Sequence, residues 1–262
     1  MHGDIRVIKA CLNGKRSQAD FPAVPVTPAE LARDAAAAVA AGAEAIHLHA
    51  RGGDSAESVQ AADVAAAVTA VRGTCPGTPV GVSTGLWITR GDAAARHAAV
   101  ADWAFLAPGA RPDFASVNVS EDGWAGVVGS LAAAGIAVEA GVWSVADVRV
   151  LARAFAAGGL PQPPLRILVE VMGVPAEAAT QAAGEILRAL DDSPLRGLPR
   201  LLHGEEEGCW PLVAQAAREG LPTRIGLEDT TAGPDGEPVS GNTELVRRAL
   251  EVLAAVRPGG RR

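Results

Sequence analysis

Tyrosine is absent from this 262-residue chain, and aromatic residues make up only 3% of it. A stacking platform for nucleobases needs such rings. The net charge is −7 and no basic stripe appears, which argues against nucleic-acid binding as well. Cysteine is scarce: Cys11, Cys75 and Cys209 are far apart and odd in number. That pattern points to reduced thiols in the cytoplasm and not to a disulfide framework. No apolar run approaches the ~18 residues needed to cross a bilayer. The alanine-rich window from Ala35 to Ala43 is too short and too weakly apolar. The opening "MHGDIRVIKACLNG" enters a strand directly, without a signal-peptide core. The expected partners are small molecules, with no nucleic acid and no membrane.

What is present is a folded, alanine-rich chain with 48% hydrophobic residues. Strands are expected at Arg6–Leu12, Ala45–Ala50, Pro79–Ser83, Phe114–Asn118, Ala137–Val142, Arg166–Met172, Arg200–His203 and Thr223–Leu227. Helical segments fall between them, first Pro28–Ala41, Ser58–Val71, Asp92–Ala104 and Trp124–Ala134. Val145–Ala157, Ala176–Leu190, Trp210–Glu219 and Thr243–Val256 follow. Thr27-Pro28-Ala29-Glu30 has the composition of a capping box with proline at the first helical position. Gly42, Gly135 and Gly158 stand where left-handed C-caps belong. Strand and helix alternating eight times is the signature of an α/β (β/α)8 TIM barrel. A doubly wound sheet is the alternative, but no G-x-G-x-x-G follows the first strand. No linker divides the chain, so a single catalytic domain is expected over 1–258, with a frayed tail over 259–262.

In such barrels the chemistry gathers at the C-terminal strand ends. "AIHLHAR" puts His47, His49 and Arg51 at alternate positions, hence on one face of strand two. Asn13 ends strand one, Ser83 and Thr84 strand three, and Ser116 and Asn118 strand four. Glu139, Glu170 and His203 lie on strands five, six and seven. In "TRIGLED", Arg224, Gly226 and Glu228 share a face. Two imidazoles and a carboxylate around an open position form a common catalytic zinc set, which favours His47, His49 and Glu228 as metal ligands. The alternative is that the two histidines are hydrogen-bonded inward residues. Arg51 is expected beyond them, orienting a nearby carboxylate. Arg224 and Asp229 are either a rim ion pair or catalytic. Ser83 and Thr84 also read as a simple turn start, Lys9 invites a Schiff-base reading, Cys11 reads as core, and Glu205–Glu207 read as a solvated loop.

The stretches "TPAELARDAAAAVAAGAEAIHLHAR", "STG", "SVN", "RIGLED" and "NTELV" resemble the β-keto acid cleavage enzyme family along nearly the whole chain. The resemblance implies a zinc-dependent (β/α)8 enzyme working with acetyl-CoA. A Claisen addition, coenzyme transfer and retro-Claisen cleavage would give acetoacetate and a new acyl-CoA. It implies Zn2+ on His47, His49 and Glu228, and a catalytic group of Ser83, Arg224 and Asp229. Asn118 falls at a substrate-contact position, and Thr84, Arg16, Asn13 and Glu139 are further expected substrate contacts. Asp229, steered by Arg224, would take a proton from the thioester methyl carbon, with Ser83 bonding the oxyanion. A homo-oligomer, tetramer or dimer, is expected. The competing readings are an amidohydrolase-type zinc hydrolase, for which only His203 offers a late histidine, and a non-catalytic metabolite-binding barrel.

Three departures from the family pattern stand out. After strand one, "LNGKRS" has Lys15 and Arg16 where the member acting on 3-keto-5-aminohexanoate has an acid that meets the amine. The Glu-x-Glu of strand five is here Glu139 followed by Gly141, and the seventh strand continues as "LLHGEEEGCW". The basic pair predicts a neutral or anionic β-keto acid. Lys15 and Arg16 pointing to solvent, or holding the phosphates of coenzyme A, is the alternative.

Overall fold

The hydroxyl of Thr27 accepts from Glu30 N (3.3 Å), and the Glu30 carboxylate accepts in return from Thr27 N (2.9 Å). This closed capping box starts helix α1 (Pro28–Ala40). Gly42, Gly135 and Gly158 all take positive φ just past the ends of their helices, as their positions imply. Local signals of this kind set the element boundaries in the computed structural model, which describes residues 5–256.

The strands are β1 (Ile8–Cys11), β2 (Ala45–Leu48), β3 (Val80–Ser83), β4 (Phe114–Asn118), β5 (Ala137–Val142), β6 (Arg166–Val171), β7 (Arg200–Gly204) and β8 (Thr223–Ile225). All pair in parallel, and β8 returns to β1 to close an eight-stranded barrel. Around it run α1, α2 (Ala61–Thr74), α3 (Ala93–Ala101), α4 (Trp124–Ala133), α5 (Val145–Ala156), α6 (Ala176–Asp191), α7 (Cys209–Glu219) and α8 (Asn242–Val256). The expected (β/α)8 barrel is therefore the fold. The proposed domain end at 258 and the tail 259–262 lie outside the described residues. No described helix is long and apolar enough to cross a membrane.

Outward-facing strand residues such as Ile46, Leu48 and Val80 pack beneath the helices. Inside, Ile5, Ala45, Phe114, Leu168 and Leu201 form an apolar layer. Gly81 leaves room for the Phe114 ring, which a side chain there would strike. A charged layer is built on the same face. Lys9 Nζ sits 2.6 Å from Glu139 Oε2, and Arg166 Nε 3.1 Å from Glu139 Oε1, with both cations beside the Phe114 ring. Lys9 and Glu139 are wholly buried. Removing either would strand its partner's charge, so the pair closes the barrel below its mouth. This corrects the expectation for Glu139: it plugs the barrel, and neither it nor Lys9 lines the mouth cavity.

Strand β8 ends two residues earlier than its apolar run implies. Gly226 turns the chain, accepting from both Asp229 N (2.8 Å) and Thr230 N (3.0 Å). A side chain at 226 would collide with the Cys11 carbonyl and the Asn242 amide, so only glycine lets the turn dock on β1.

Candidate metal and active site

Inward alternation on β2 sends both His47 and His49 into the mouth. Their Nε2 atoms lie 3.7 Å and 3.6 Å from the same oxygen, Glu228 Oε2, which the β8 turn delivers from across β1. Gly14 makes space for that side chain, since a Cβ there would overlap it. Three donor atoms of these residues lie within 4.8 Å of one another, the one such group among the described residues. Both ring nitrogens of His47, and Glu228 Oε2, are buried without a hydrogen-bond partner. Buried polar atoms are rarely left so, and the nitrogen–oxygen distances are close to the ~3.4 Å separation of tetrahedral ligands at about 2.1 Å from a metal. The three residues fit a zinc-type ion.

The surroundings prepare them for that role. Burial works against a charged His49, yet the carboxylates of Glu228 and Glu57 hold its pKa up at about 9. Glu57 Oε1 is 2.5 Å from His49 Nδ1 and also accepts from Trp87 Nε1 at 3.1 Å. An anionic Glu57 keeps the proton on Nδ1 and aims Nε2 at the site. Burial instead pushes His47 well below its ordinary pKa, leaving a neutral imidazole. Burial opposes ionisation of Glu228, but Arg224, His47 and His49 together hold it well below the usual carboxylate range. Arg224 Nη2 is 3.0 Å from its Oε1.

Arg224 also donates to Asp229 Oδ1 from Nε (3.0 Å) and Nη2 (2.8 Å). The other oxygen, Oδ2, is buried and unpaired. Burial, reinforced by the Glu228 charge and opposed by Arg224, lifts the Asp229 pKa to about 7. A carboxyl so poised is suited to exchanging a proton near neutrality. A cavity of about 390 Å3 opens onto His47, His49, Ser83, Asn118, Arg224 and Asp229.

A family model described as beta-keto acid cleavage enzyme matches residues 6–258. The chain belongs to that family. Among solved structures, apo ObcA superposes with a TM-score of 0.68 at 17% identity, covering 88% of this chain and 61% of that one. A ternary complex of ObcA with a C4-CoA adduct and oxalate gives 0.70 at 18%, covering 89% and 64%. A type I 3-dehydroquinate dehydratase from Clostridium difficile gives 0.63 at 13%, covering 97% and 95%. The chain spans less than two thirds of the length of ObcA, and at these identities the likeness is one of fold.

In this β-keto acid cleavage enzyme family member, Ser83 and Asn118 face the cavity, while Thr84, Asn13 and Arg16 do not line it. Thr84 is wholly buried and donates to Ser116 O at 2.6 Å. Asn13 clamps the backbone of His49, accepting from its N–H (2.8 Å) and donating to its carbonyl (2.9 Å). Arg16 donates to Leu227 O at 2.6 Å and pairs with Glu206, so it braces the β8 turn. Arg51 orients backbone and not a carboxylate, donating to Gly14 O (2.5 Å) and Arg16 O (2.8 Å). None of the four lines the cavity: against the roles expected of them, they hold the site's frame through backbone contacts.

The basic pair also has partners that the spacing did not reveal. Lys15 is 3.2 Å from Glu205, and Arg16 is paired with Glu206. Glu205–Glu207 is thus not simply a solvated loop, and the positive charge at the rim is cancelled. His203 is not part of the His47, His49 and Glu228 group, which removes the late histidine of the hydrolase reading. It lies 3.5 Å from Glu170 and 3.9 Å from Asp229. Burial, with Arg224 nearby, lowers its pKa to about 4, so it is neutral.

Glu57, Trp87, Trp143 and Met172 were missed as site residues. Trp143 and Met172 directly follow β5 and β6, a position that strand-end reasoning could have flagged. Glu57 gave no such signal, because an irregular loop and an antiparallel bridge with Arg51 bring it to His49.

Proposed function

We propose that the protein is a zinc-dependent enzyme converting a β-keto acid and acetyl-CoA into acetoacetate and a new acyl-CoA. The observation that carries this reading is the juxtaposition of a His–His–Glu cluster with an arginine-held aspartate whose outer oxygen is free. Family membership supports β-keto acid cleavage, and the CoA adduct held by ObcA supports a thioester partner. His47, His49 and Glu228 would hold the ion. When bound, it would act as a Lewis acid toward the carboxylate and ketone of the β-keto acid.

The products decide which carbon loses its proton. The carboxyl and methylene of acetoacetate come from the β-keto acid, so the α-carbon of that acid is deprotonated, and not the thioester methyl carbon expected above. Asp229 Oδ2 takes this proton while Arg224 holds Oδ1 in place. The α-carbon then bonds to the thioester carbonyl carbon and coenzyme A thiolate leaves. The Ser83 hydroxyl donates to the oxyanion formed in that addition. The thiolate adds to the original ketone carbon, and the bond from that carbon to the α-carbon breaks. Acyl-CoA is released, and the acetoacetate carbanion recovers its proton from Asp229. Asn118 contacts the substrate, while Asn13, Thr84 and Arg16 hold the frame.

The test is metal analysis of the purified protein, then incubation with acetyl-CoA and a panel of β-keto acids, with acyl-CoA and acetoacetate followed by mass spectrometry. Metal-loaded protein that forms neither product with any acid would overturn the reading.

A further inference from the structure

The wall of the cavity across from the metal ligands is lined with acceptors. The ligands come from β2 and the β8 turn, so β4, β5 and β6 stand opposite them in the closed barrel. On that wall Glu170 is only 5% exposed, yet it lines the cavity, and so does Asn118. A Cβ at Gly141, between them on β5, would meet both Glu170 Oε1 and Asn118 Oδ1. The two oxygens therefore converge over the one residue of β5 that offers no side chain. The acid missing from position 141 has a counterpart supplied by the neighbouring strand.

Each side chain is held with its acceptor inward. Asn118 donates through Nδ2 to Glu121 Oε1 at 2.9 Å, and the buried Arg96 anchors Glu121 in turn. A carboxylate accepts only, so the amide nitrogen faces Glu121 and Oδ1 faces the cavity. The far oxygen of Glu170, Oε2, lies 3.5 Å from His203. No described residue donates to Glu170 Oε1 or Asn118 Oδ1. A carboxylate oxygen and an amide oxygen that converge on the cavity wall, with no donor from the protein, are placed to accept from a bound molecule.

We propose that Glu170 and Asn118 form a subsite for an N–H or O–H donor, and that it selects β-keto acids bearing an amino or hydroxyl group on the chain beyond the ketone. This rests on the function proposed above. It reverses the selectivity expected from Lys15 and Arg16, whose charge Glu205 and Glu206 neutralise. A carboxylate-bearing chain would meet Glu170 directly and be repelled. The amide N–H groups of a thioester's pantetheine arm share the donor chemistry, and the experiment separates the two sources.

Three β-keto acids of equal length, with an amino, hydroxyl or methyl substituent at the same carbon, are compared with acetyl-CoA as partner. Wild type should favour the donor-bearing acids by about tenfold or more in kcat/KM, mainly through KM. Glu170→Gln and Gly141→Ala should each bring that ratio toward one. The second leaves the carboxylate present but displaces it, and position 141 has ordinary backbone geometry. If the series is flat but both substitutions raise the KM for acetyl-CoA, the donor is on the thioester and the subsite stands with that source. A flat series with an unchanged acetyl-CoA KM overturns the proposal. If no acid is turned over, the proposed function fails by itself. Calorimetric binding of the amino and methyl acids to wild type and Glu170→Gln then reads the subsite, and equal affinities overturn it.

Discussion

The side-chain oxygen of Asn242 accepts a hydrogen bond from Leu227 N at 2.7 Å, one residue before Glu228, the carboxylate grouped with His47 and His49. Asn242 is the first residue of α8 and is fully buried. Its amide nitrogen donates to Leu12 O (2.8 Å) and to Asp34 Oδ2 (2.6 Å). One side chain thus ties the β8 turn to the end of β1 and to α1. Asn242→Ala would strand a buried N–H and a buried carbonyl, costing about 1–3 kcal/mol of stability. Metal affinity should fall with it, read by thermal unfolding and by metal titration of the folded variant.

Asp229→Asn should lower kcat by about 100-fold or more while leaving zinc bound, because it removes the proton acceptor and spares the ligands. Turnover and metal content, measured on the same preparation, check this. Loss of metal together with turnover would make Asp229 a structural residue.

Glu57→Gln should weaken metal binding by about 10–100-fold, since the amide no longer fixes the His49 proton on Nδ1. His47→Ala should abolish binding. Competition with a chelator of known affinity distinguishes the two degrees of loss.

Asp34 offers a test of pH dependence away from the active site. Burial, opposed by the Asn242 hydrogen bond, raises its pKa to about 6 from an ordinary 3.8. The fold thus favours the protonated acid, and its ionised form weighs against folding as pH rises from about 4 through 6. Asp34→Asn keeps an acceptor for Asn242 and removes the titration. Relative to wild type it should gain about 1–2 kcal/mol between pH 4 and 7, a figure reduced for the carboxyl's partial exposure. Denaturant unfolding at several pH values measures the difference, and a pH-independent gap would contradict it.

Arg16→Glu should destabilise the β8 turn more than it changes substrate choice. The replacement loses the bond to Leu227 O and sets an acid against Glu206. A lower melting temperature with an unaltered ranking of β-keto acids is the expected result.

The sequence by itself determined the barrel and put His47 and His49 on one face, because both rest on short-range periodicity, whereas the turn at Gly226 brings Glu228 to them. Alternation turns His47 and His49 to one face of β2, capping chemistry starts α1 at Pro28, and barrel geometry assigns the strand ends to the mouth. Tertiary structure alone decided which mouth residues reach the cavity and which hold its frame. Glu139 lies on the inward face of its strand, but its depth matches Lys9 and Arg166, and depth depends on the stagger between strands. Lys15 and Arg16 read as free positive charge until the loop after β7 folds back to place Glu205 and Glu206 against them. Glu57 reaches His49 through a loop with no period at all. Periodicity places a side chain on a face, whereas its partner across the barrel is set by loop paths and strand stagger that no local pattern encodes.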